Sequence, residues 1–159
     1  KATPREVKHI HELYDNVKNV NYSVNNFKMP YEYFERLAAD PNFIVWTFYL
    51  KENYNEDSLP IGFYCAIHDE ATSYYYPLFL GVDYDYLHTH AIYRQILYRI
   101  LKHAYELKCD NIHFGFTADV EKGKFGSKTS SKNAFLQYRD NYKLDLLDSM
   151  SVTQLKKHY

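Results

Sequence analysis

Four side chains in the second half of the sequence carry groups suited to acid–base or anion chemistry. Glu121 has a carboxylate that could act as a general base, and the His113 imidazole could take the same role. The Lys122 ammonium could bind a carboxylate or phosphate, and the phenol of Tyr138 could act as an acid, although the chain holds 18 tyrosines. Each also has an ordinary alternative: Glu121 and Lys122 can be solvated, and His113 can be packed or simply exposed.

The sequence contains no metal-binding pattern. Cys65 and Cys109 are too few for a disulfide scaffold or a zinc motif, and we expect both to be reduced thiols. His88 and His90 lie two residues apart, without the set of cysteine or carboxylate partners that a metal site needs. We therefore expect a protein without a bound metal.

Length, charge and hydropathy exclude several classes of protein. The 159 residues suit a single domain, and 19 basic against 20 acidic residues give a net charge of −1. This balance argues against general nucleic-acid binding, and a third reading as an RNA- or nucleotide-handling protein is disfavoured for the same reason. No apolar run is long enough to span a membrane and no signal peptide is visible, so we expect a cytoplasmic protein.

The first forty residues have the pattern of two helices. Thr3 and Pro4 are typical of a helix start, with an N-cap followed by proline at the first helical position. The helix that follows carries an apolar stripe at spacings of three and four: Val7, Ile10, Tyr14 and Val17. A second helix is predicted over Tyr31–Ala39, before the helix-stopping sequence around Pro41.

Three strands are predicted next. Residues 43–50 are rich in aromatic and β-branched side chains, a second strand runs from Gly62 to Ile67, and a third covers residues 73–82. The short connection between the second and third strands predicts antiparallel pairing. Pro77 removes a ladder donor inside the third strand, so this strand must bulge there or present an unpaired edge.

The strongest periodicity lies between about residues 90 and 108 and predicts a long amphipathic helix, with Thr89 as its N-cap. Its apolar stripe consists of Ile92, Tyr93, Ile96, Leu97, Ile100, Leu101, Ala104 and Leu107. A strand over residues 112–116 follows. A strand, a helix and a second strand make a crossover, so strands 73–82 and 112–116 should be parallel neighbours.

A short helix over residues 118–125 and a terminal strand or hairpin complete the prediction. Gly126 should end the short helix, and Gly115 should allow a close backbone approach. The fold class is therefore α/β (α+β): a mixed sheet with antiparallel N-terminal strands, a long crossover helix and a splayed pair of parallel strands.

Four segments carry a resemblance to a known family. They are residues 59–63 (LPIGF), 80–83 (LGVD), 93–101 on the long helix, and 115–126 (GFTADVEKGKFG). The last segment is the most informative, because it is similar to a pattern of Gly, Thr-Ala, a Lys, then a hydrophobic residue and Gly.

With these segments and this order of elements, the chain resembles the GNAT superfamily of N-acyltransferases. Residues 59–139 resemble, more narrowly, its FemAB-like branch, which is related to peptidoglycan bridge enzymes and exopolysaccharide acyltransferases. The resemblance implies transfer of an acyl or aminoacyl group from an activated carrier, such as acetyl-CoA or another acyl-CoA, to a small-molecule or peptidic amine. Because the chain begins with Lys1 rather than Met, an alternative is the C-terminal part of a longer protein.

The resemblance also implies where the donor and the acceptor bind. The donor arm would lie where the two parallel strands splay, and a diphosphate would lie at the start of the long helix. The donor-binding residues so implied are Leu80, Val82, His88, Thr89, His90 and Arg94. Thr117 and Lys122 would contact the substrate, with Glu121 as base and Tyr138 as acid to a leaving thiolate.

One segment departs from the pattern of coenzyme A-binding relatives. The turn before the long helix, residues 83–90, has no glycine and contains Asp83 and Asp85, whose charges repel a diphosphate. We therefore expect weak coenzyme A binding, with His88, His90 and Arg94 as the groups that could offset the repulsion. The rival hypothesis is a non-catalytic module of the same fold, or half of a two-domain FemAB-like enzyme.

Overall fold

The computed structural model describes residues 3–20, 28–52, 54–115 and 119–131. Contacts within the chain divide it into two units, Lys1–Lys128 and Thr129–Tyr159, and the fold described below is that of the first. Thr117, Tyr138 and the predicted terminal hairpin lie outside the described residues.

The elements follow the predicted order closely. They are α1 (Pro4–Val20), α2 (Tyr31–Ala39), β1 (Ile44–Phe48), β2 (Gly62–Asp69), β3 (Tyr74–Val82), α3 (Tyr86–Thr89), α4 (Ile92–Glu106), β4 (Asn111–Ile112) and α5 (Asp119–Gly123). The predicted start of α1 is confirmed. The Thr3 hydroxyl accepts the Glu6 N–H (3.2 Å), and the Glu6 carboxylate accepts the Thr3 N–H (2.7 Å), which forms a reciprocal capping box.

The described strands form one mixed sheet in the order β1-β2-β3-β4. The first two pairings are antiparallel, and β3 pairs with β4 in parallel after the crossover through α4, as predicted. The strand predicted over residues 112–116 is shorter in the structure. Regular pairing ends at Ile112, and residues 113–115 lie outside any strand because the parallel ladder continues for only two residue pairs.

The predicted irregularity at Pro77 is a β-bulge. Ala66 pairs with Pro77 but Cys65 pairs with Phe79, so Leu78 is an extra residue in β3. Side chains seven residues apart on a regular strand point to opposite faces, since the period is two. Tyr75 and Val82 are seven residues apart, but the bulge between them reverses this alternation, so both side chains face α4.

The sheet has a separate core on each face. On one face α4 packs on the strands through a buried set that consists of Ile61, Tyr64, Ala66, Tyr75, Val82, Ile92, Ile96, Leu97, Ile100 and Ala104. On the other face α1 and α2 cover a set that consists of Val7, Ile10, Leu13, Tyr14, Phe34, Leu37, Phe63 and Cys65. None of the described helices has the length and apolar character that a membrane-spanning helix needs.

Gly81 sets the distance between α1 and β3. A Cβ atom there would lie 2.5 Å from the backbone carbon of Leu13 and 2.4 Å from the Phe63 ring. No real Cβ contact is that short, so only glycine allows α1 to approach the strand this closely. This contact holds α1 against the half of β3 that follows the bulge.

Candidate functional site

The parallel strands β3 and β4 separate soon after they meet. Tyr74 pairs with Asn111 and Tyr75 with Ile112, and the His113 N–H then donates to the Tyr75 carbonyl at 2.9 Å. Beyond this point, residues 76–82 of β3 have no strand partner on the side away from β2 within the described chain. We call this stretch the open edge of β3. Unpaired backbone N–H and C=O groups on such an edge can bind an extended ligand.

The start of α4 lies just after the open edge. Its N-cap residue is Ala91, which has left-handed backbone angles (φ 48°, ψ 40°), and no described side chain caps the helix. The predicted N-cap was wrong: Thr89 belongs to α3, and its hydroxyl donates to the Asp85 carbonyl at 3.1 Å. The extra turn of helix moves the cap two residues along the chain. The first N–H groups of α4 therefore have neither an intrahelical nor a side-chain acceptor among the described residues.

The polar residues around this turn contact each other. His88, Thr89 and His90 are exposed, and His90 Nδ1 lies 2.9 Å from the Thr89 hydroxyl. The Asp83 carboxylate accepts the Asp85 N–H at 3.0 Å, as in an Asx turn. One of the two acids that should repel a diphosphate therefore shapes the backbone of the turn.

Leu80 and Val82 bring backbone rather than side-chain groups to the open edge. The Val82 side chain is buried against α4, and Leu80 packs against the same core. Any contact of these two residues with a ligand beside β3 would therefore involve their N–H and C=O groups.

Glu121 on α5 joins two basic side chains. Its carboxylate accepts hydrogen bonds from Lys124 Nζ and from Arg94 Nε, the latter at 3.0 Å. These bonds from Lys124 and Arg94 lower the pKa of the Glu121 carboxyl. Glu121 is thus an ion-paired carboxylate that links α5 to the first turn of α4.

Lys122, the neighbour of Glu121, is buried, with 8% of its surface exposed. Its backbone carbonyl accepts N–H groups from Phe125 (3.0 Å) and Ser127 (3.3 Å) where α5 ends. Gly126 supplies the positive φ of 85° that this ending requires, as predicted. A solvated lysine, one of the two alternatives, would not be buried to this extent.

His113 lies at the point where the strands separate. It is exposed, its Nδ1 accepts the Gly115 N–H at 3.3 Å, and its ring lies 6.0 Å from the Tyr76 ring. Gly115, two residues further on, has a φ of 70°, a backbone angle that favours glycine. His113 therefore contributes a backbone donor to the last rung of the parallel ladder and a side-chain acceptor to the turn that follows it.

One polar cluster of the α4 face was absent from the sequence-based prediction. His103 on α4 accepts hydrogen bonds from Trp46 and Tyr75, and the Tyr75 hydroxyl lies 3.4 Å from that of Tyr64. Its position in the sequence could have indicated this cluster, because His103 follows Ile100 by three residues and so lies within the apolar stripe of the helix. Among the described residues, no group of three or more His, Cys, Asp or Glu side chains could hold a metal ion.

No family model and no curated protein sequence matches the chain. Solved structures do match it. A Trypanosoma brucei acetyltransferase is 8% identical with a TM-score of 0.61, and the alignment covers 86% of this chain and 96% of that one. The aminoglycoside acetyltransferase meta-AAC0020 from an uncultured soil metagenomic sample, in complex with sisomicin, is 16% identical with a TM-score of 0.53 (87% and 92% covered).

A third match is a structure with a bound coenzyme A conjugate. AAC(6′)-Iy, in complex with the bisubstrate analogue CoA-S-monomethyl-acetylneamine, is 11% identical with a TM-score of 0.53 (86% and 93% covered). These neighbours are GNAT-fold acetyltransferases, and the mixed α/β sheet of the chain is the GNAT fold. The predicted fold class is confirmed.

Proposed function

We propose that the domain is an N-acyltransferase that holds an activated acyl donor along the open edge of β3. The observation that carries the proposal is the parallel β3–β4 pair, which ends after two residue pairs and leaves residues 76–82 without a strand partner on that side in the described chain. A donor with an extended, amide-containing arm can form the missing backbone hydrogen bonds. The shared fold with acetyltransferases supports this assignment.

The reaction joins an amine to the acyl carbon. The amine lone pair attacks the thioester carbonyl, a tetrahedral oxyanion forms, and the carbon–sulfur bond then breaks to release a thiolate, which takes up the proton lost by the amine. The bulge takes Leu78 out of register with β2, so its backbone N–H is our candidate donor to the oxyanion. Catalysis of this kind depends mainly on positioning and requires few dedicated side chains.

We propose an acyl-CoA as the donor, with its diphosphate at the start of α4. The uncapped first turn and the Arg94 side chain are suited to an anion, and His88, Thr89 and His90 line the turn before it. The neighbour AAC(6′)-Iy in complex with a coenzyme A conjugate supports this choice. Because the turn also contains Asp83 and Asp85, we expect affinity weaker than the low-micromolar range, and a low-micromolar dissociation constant for acetyl-CoA would contradict this expectation.

The acceptor in this proposal is a small-molecule or peptidic amine. A neighbouring enzyme in complex with sisomicin supports the small-molecule class. We assign Lys122 and Thr117 to the substrate and keep Tyr138 as the acid. Glu121 is paired with Arg94 and Lys124, so we expect its main contribution to be the orientation of Arg94. Membership of the FemAB-like branch is also part of this proposal, and half of a two-domain enzyme of that branch is its alternative.

Lys122 gives the sharpest test of the site. Lys122→Met keeps the apolar stem and removes the charge, so the fold should persist while binding of an anionic substrate group weakens by about 1.5–3 kcal/mol. Lys128→Ala is the matched control. It replaces an exposed lysine that follows the end of α5, and it should change neither turnover nor melting temperature. Two measurements separate the effects. Turnover with acyl-CoA donors and a panel of amines reports on substrate binding, and the melting temperature reports on the fold.

The outcomes separate the hypotheses. Unchanged turnover in Lys122→Met would remove Lys122 from the site, and a large fall in melting temperature would assign it a structural role. Donor binding without turnover on any amine would instead support the rival hypothesis of a non-catalytic module.

A further inference from the structure

His103, near the end of α4, contacts two strands of the sheet directly and a third through Tyr75. Its Nδ1 lies 2.9 Å from the Tyr75 hydroxyl on β3 and 3.3 Å from the Trp46 indole nitrogen on β1. The Tyr75 hydroxyl in turn lies 3.4 Å from the hydroxyl of Tyr64 on β2. This cluster is separate from the turn before α4 and from the open edge of β3, and none of its side chains takes part in the proposed reaction.

The geometry fixes the protonation state of His103. An indole N–H can only donate, so Nδ1 must be the unprotonated nitrogen that accepts the bond from Trp46. At 2.9 Å the Tyr75 hydroxyl must then also direct its single proton at Nδ1, with Tyr64 at 3.4 Å the longer contact, so the two donors share one lone pair. A protonated imidazole has no acceptor nitrogen, so it would lose the bond from Trp46 and could bond to Tyr75 only as a donor, with the hydroxyl turned round to accept.

The surroundings oppose protonation. Burial and the neighbouring Arg99 guanidinium lower the pKa of His103 from 6.5, with a smaller contribution from His68 on β2, while Glu106 raises it. Arg99 lies 3.8 Å above the Trp46 ring and forms an ion pair with Glu106. The cationic groups around His103 are thus Arg99 and, when protonated, His68.

Tyr75 connects this cluster to the point where β3 and β4 separate. Its hydroxyl donates to His103, and its carbonyl accepts the His113 N–H, the last described backbone bond between the two strands. Burial raises the pKa of Tyr75 to about 12, so it remains a donor at any ordinary pH. Because β4 has only two residues, the ladder alone gives the separation point little support.

We propose that His103 is a positioning residue for acyl transfer: in its neutral form it holds Tyr75, and through Tyr75 it fixes the point at which β3 and β4 separate. Protonation of His103 breaks the bond from Trp46 and forces the Tyr75 hydroxyl to change from donor to acceptor, and this rearrangement loosens the origin of the open edge. The link to catalysis rests on the proposed function, whereas the effect on the strands does not.

Trp46 is the only tryptophan in the sequence, so the tryptophan emission comes entirely from the ring beside His103. The two rings lie 5.2 Å apart, edge to face, and a charged imidazole at that distance quenches indole emission. We expect the wild-type emission to fall in a single step with a midpoint below pH 6.5. His103→Asn, which retains an acceptor near the position of Nδ1 but cannot titrate, should show no step. A step that persists in His103→Asn would belong to His68 and would overturn the proposal.

Hydrogen exchange of the His113 amide tests the effect on the strands. In His103→Leu, which has no acceptor, protection of this amide should fall about tenfold at pH 8, the equivalent of one net hydrogen bond. Wild type should also lose protection at a pH below the fluorescence midpoint, and His103→Asn should keep its protection at both pH values. If His103→Leu folds poorly, Tyr75→Phe is the second variant, and we expect the same loss of His113 amide protection in it. Equal protection in wild type, His103→Leu and Tyr75→Phe would overturn the proposal.

The affinity for acetyl-CoA distinguishes this proposal from the proposed function. A loss of affinity in His103→Leu, restored in His103→Asn, supports both. Failure of acetyl-CoA to bind any variant, with the amide effect present, would refute the proposed donor and leave the structural role of His103 intact. Affinity that is unchanged in His103→Leu while the His113 amide is exposed would show that His103 does not position the donor.

Discussion

The two faces of the sheet are held by different kinds of interaction. Under α1 and α2 the core is apolar, and its aromatic rings, such as Phe34 against Phe63 and Phe79, meet edge to face at 6.0–6.4 Å. Under α4 the apolar core surrounds a set of directional hydrogen bonds centred on His103. The open edge of β3 starts at Tyr75, which belongs to the second set.

This difference separates stability from positioning. Apolar burial is not directional and tolerates small shifts, so it secures the fold without fixing the exact position of a strand. Hydrogen bonds in a buried network hold groups at defined distances, and they respond to protonation. We therefore expect changes under α1 and α2 to alter stability alone, and changes under α4 to alter stability, pH dependence and the separation of the strands.

The largest effect should come from the apolar face. Phe34 is 2% exposed, and Phe34→Ala should lower the free energy of unfolding by about 3–5 kcal/mol through lost burial and the cavity left behind. Urea unfolding at pH 8 and pH 5 should give nearly the same loss, because Phe34 meets the titratable His11 through a ring contact at 5.0 Å and not through a hydrogen bond. Phe34→Leu is the milder control. A loss of stability that depends strongly on pH would contradict the assignment of pH dependence to the α4 face alone.

A single hydroxyl on the other face should have a smaller effect of a different kind. Tyr75→Phe removes the donor to His103 Nδ1 and should cost about 1 kcal/mol at pH 8, the net value of one hydrogen bond. The cost should change at low pH, because protonated His103 no longer accepts the bond in the wild type and can only donate it. Urea unfolding at the two pH values measures this, and a pH-independent cost would contradict the assigned neutral state.

The pH dependence of stability follows from His103. Its pKa is lowered in the folded protein, so as the pH falls through 6.5 the unfolded chain binds a proton that the folded chain does not. The free energy of unfolding should therefore fall from about pH 6.5 downward and level off below the folded pKa. The difference between wild type and His103→Asn isolates this contribution from the other titrating groups. Parallel curves for the two proteins would contradict it.

The smallest expected effect is a gain in stability at the start of α4. Ala91 has a φ of 48°, a region that costs a residue with a side chain roughly 1 kcal/mol and costs glycine nothing. Ala91→Gly should therefore raise the free energy of unfolding by about 0.5 kcal/mol after the greater entropy of unfolded glycine is subtracted. Thermal unfolding measures the change, and Ala104→Gly in the buried interior of α4 is the control that should destabilise.

Much of the fold could be predicted from local patterns. The stripe of α4, the start of α1 at Thr3 and the bulge at Pro77 each follow from a rule about one element. The N-cap of α4 could not be predicted this way, since α3 inserts a turn and places Ala91, a residue with no cap side chain, at that position. Nothing local identifies an alanine with left-handed backbone angles.

The site was harder to predict than the fold, because it depends on contacts between distant segments. The Glu121 carboxylate was identified as reactive, but its bond to Arg94, 27 residues away, only appears in three dimensions. The burial of Lys122 and the joint use of His103 by Trp46 and Tyr75 are of the same kind. Sequence patterns place such residues on elements, and packing decides their partners.

Hydrogen exchange on the open edge tests the central claim most directly. Acetyl-CoA, added well above its dissociation constant, should protect the amides of residues 76 and 78–82 that face away from β2 and the amides of the first turn of α4, and should leave the amides of α1 unchanged. Protection confined to other parts of the chain, with acetyl-CoA bound, would show that the donor does not lie along β3 and would contradict the account.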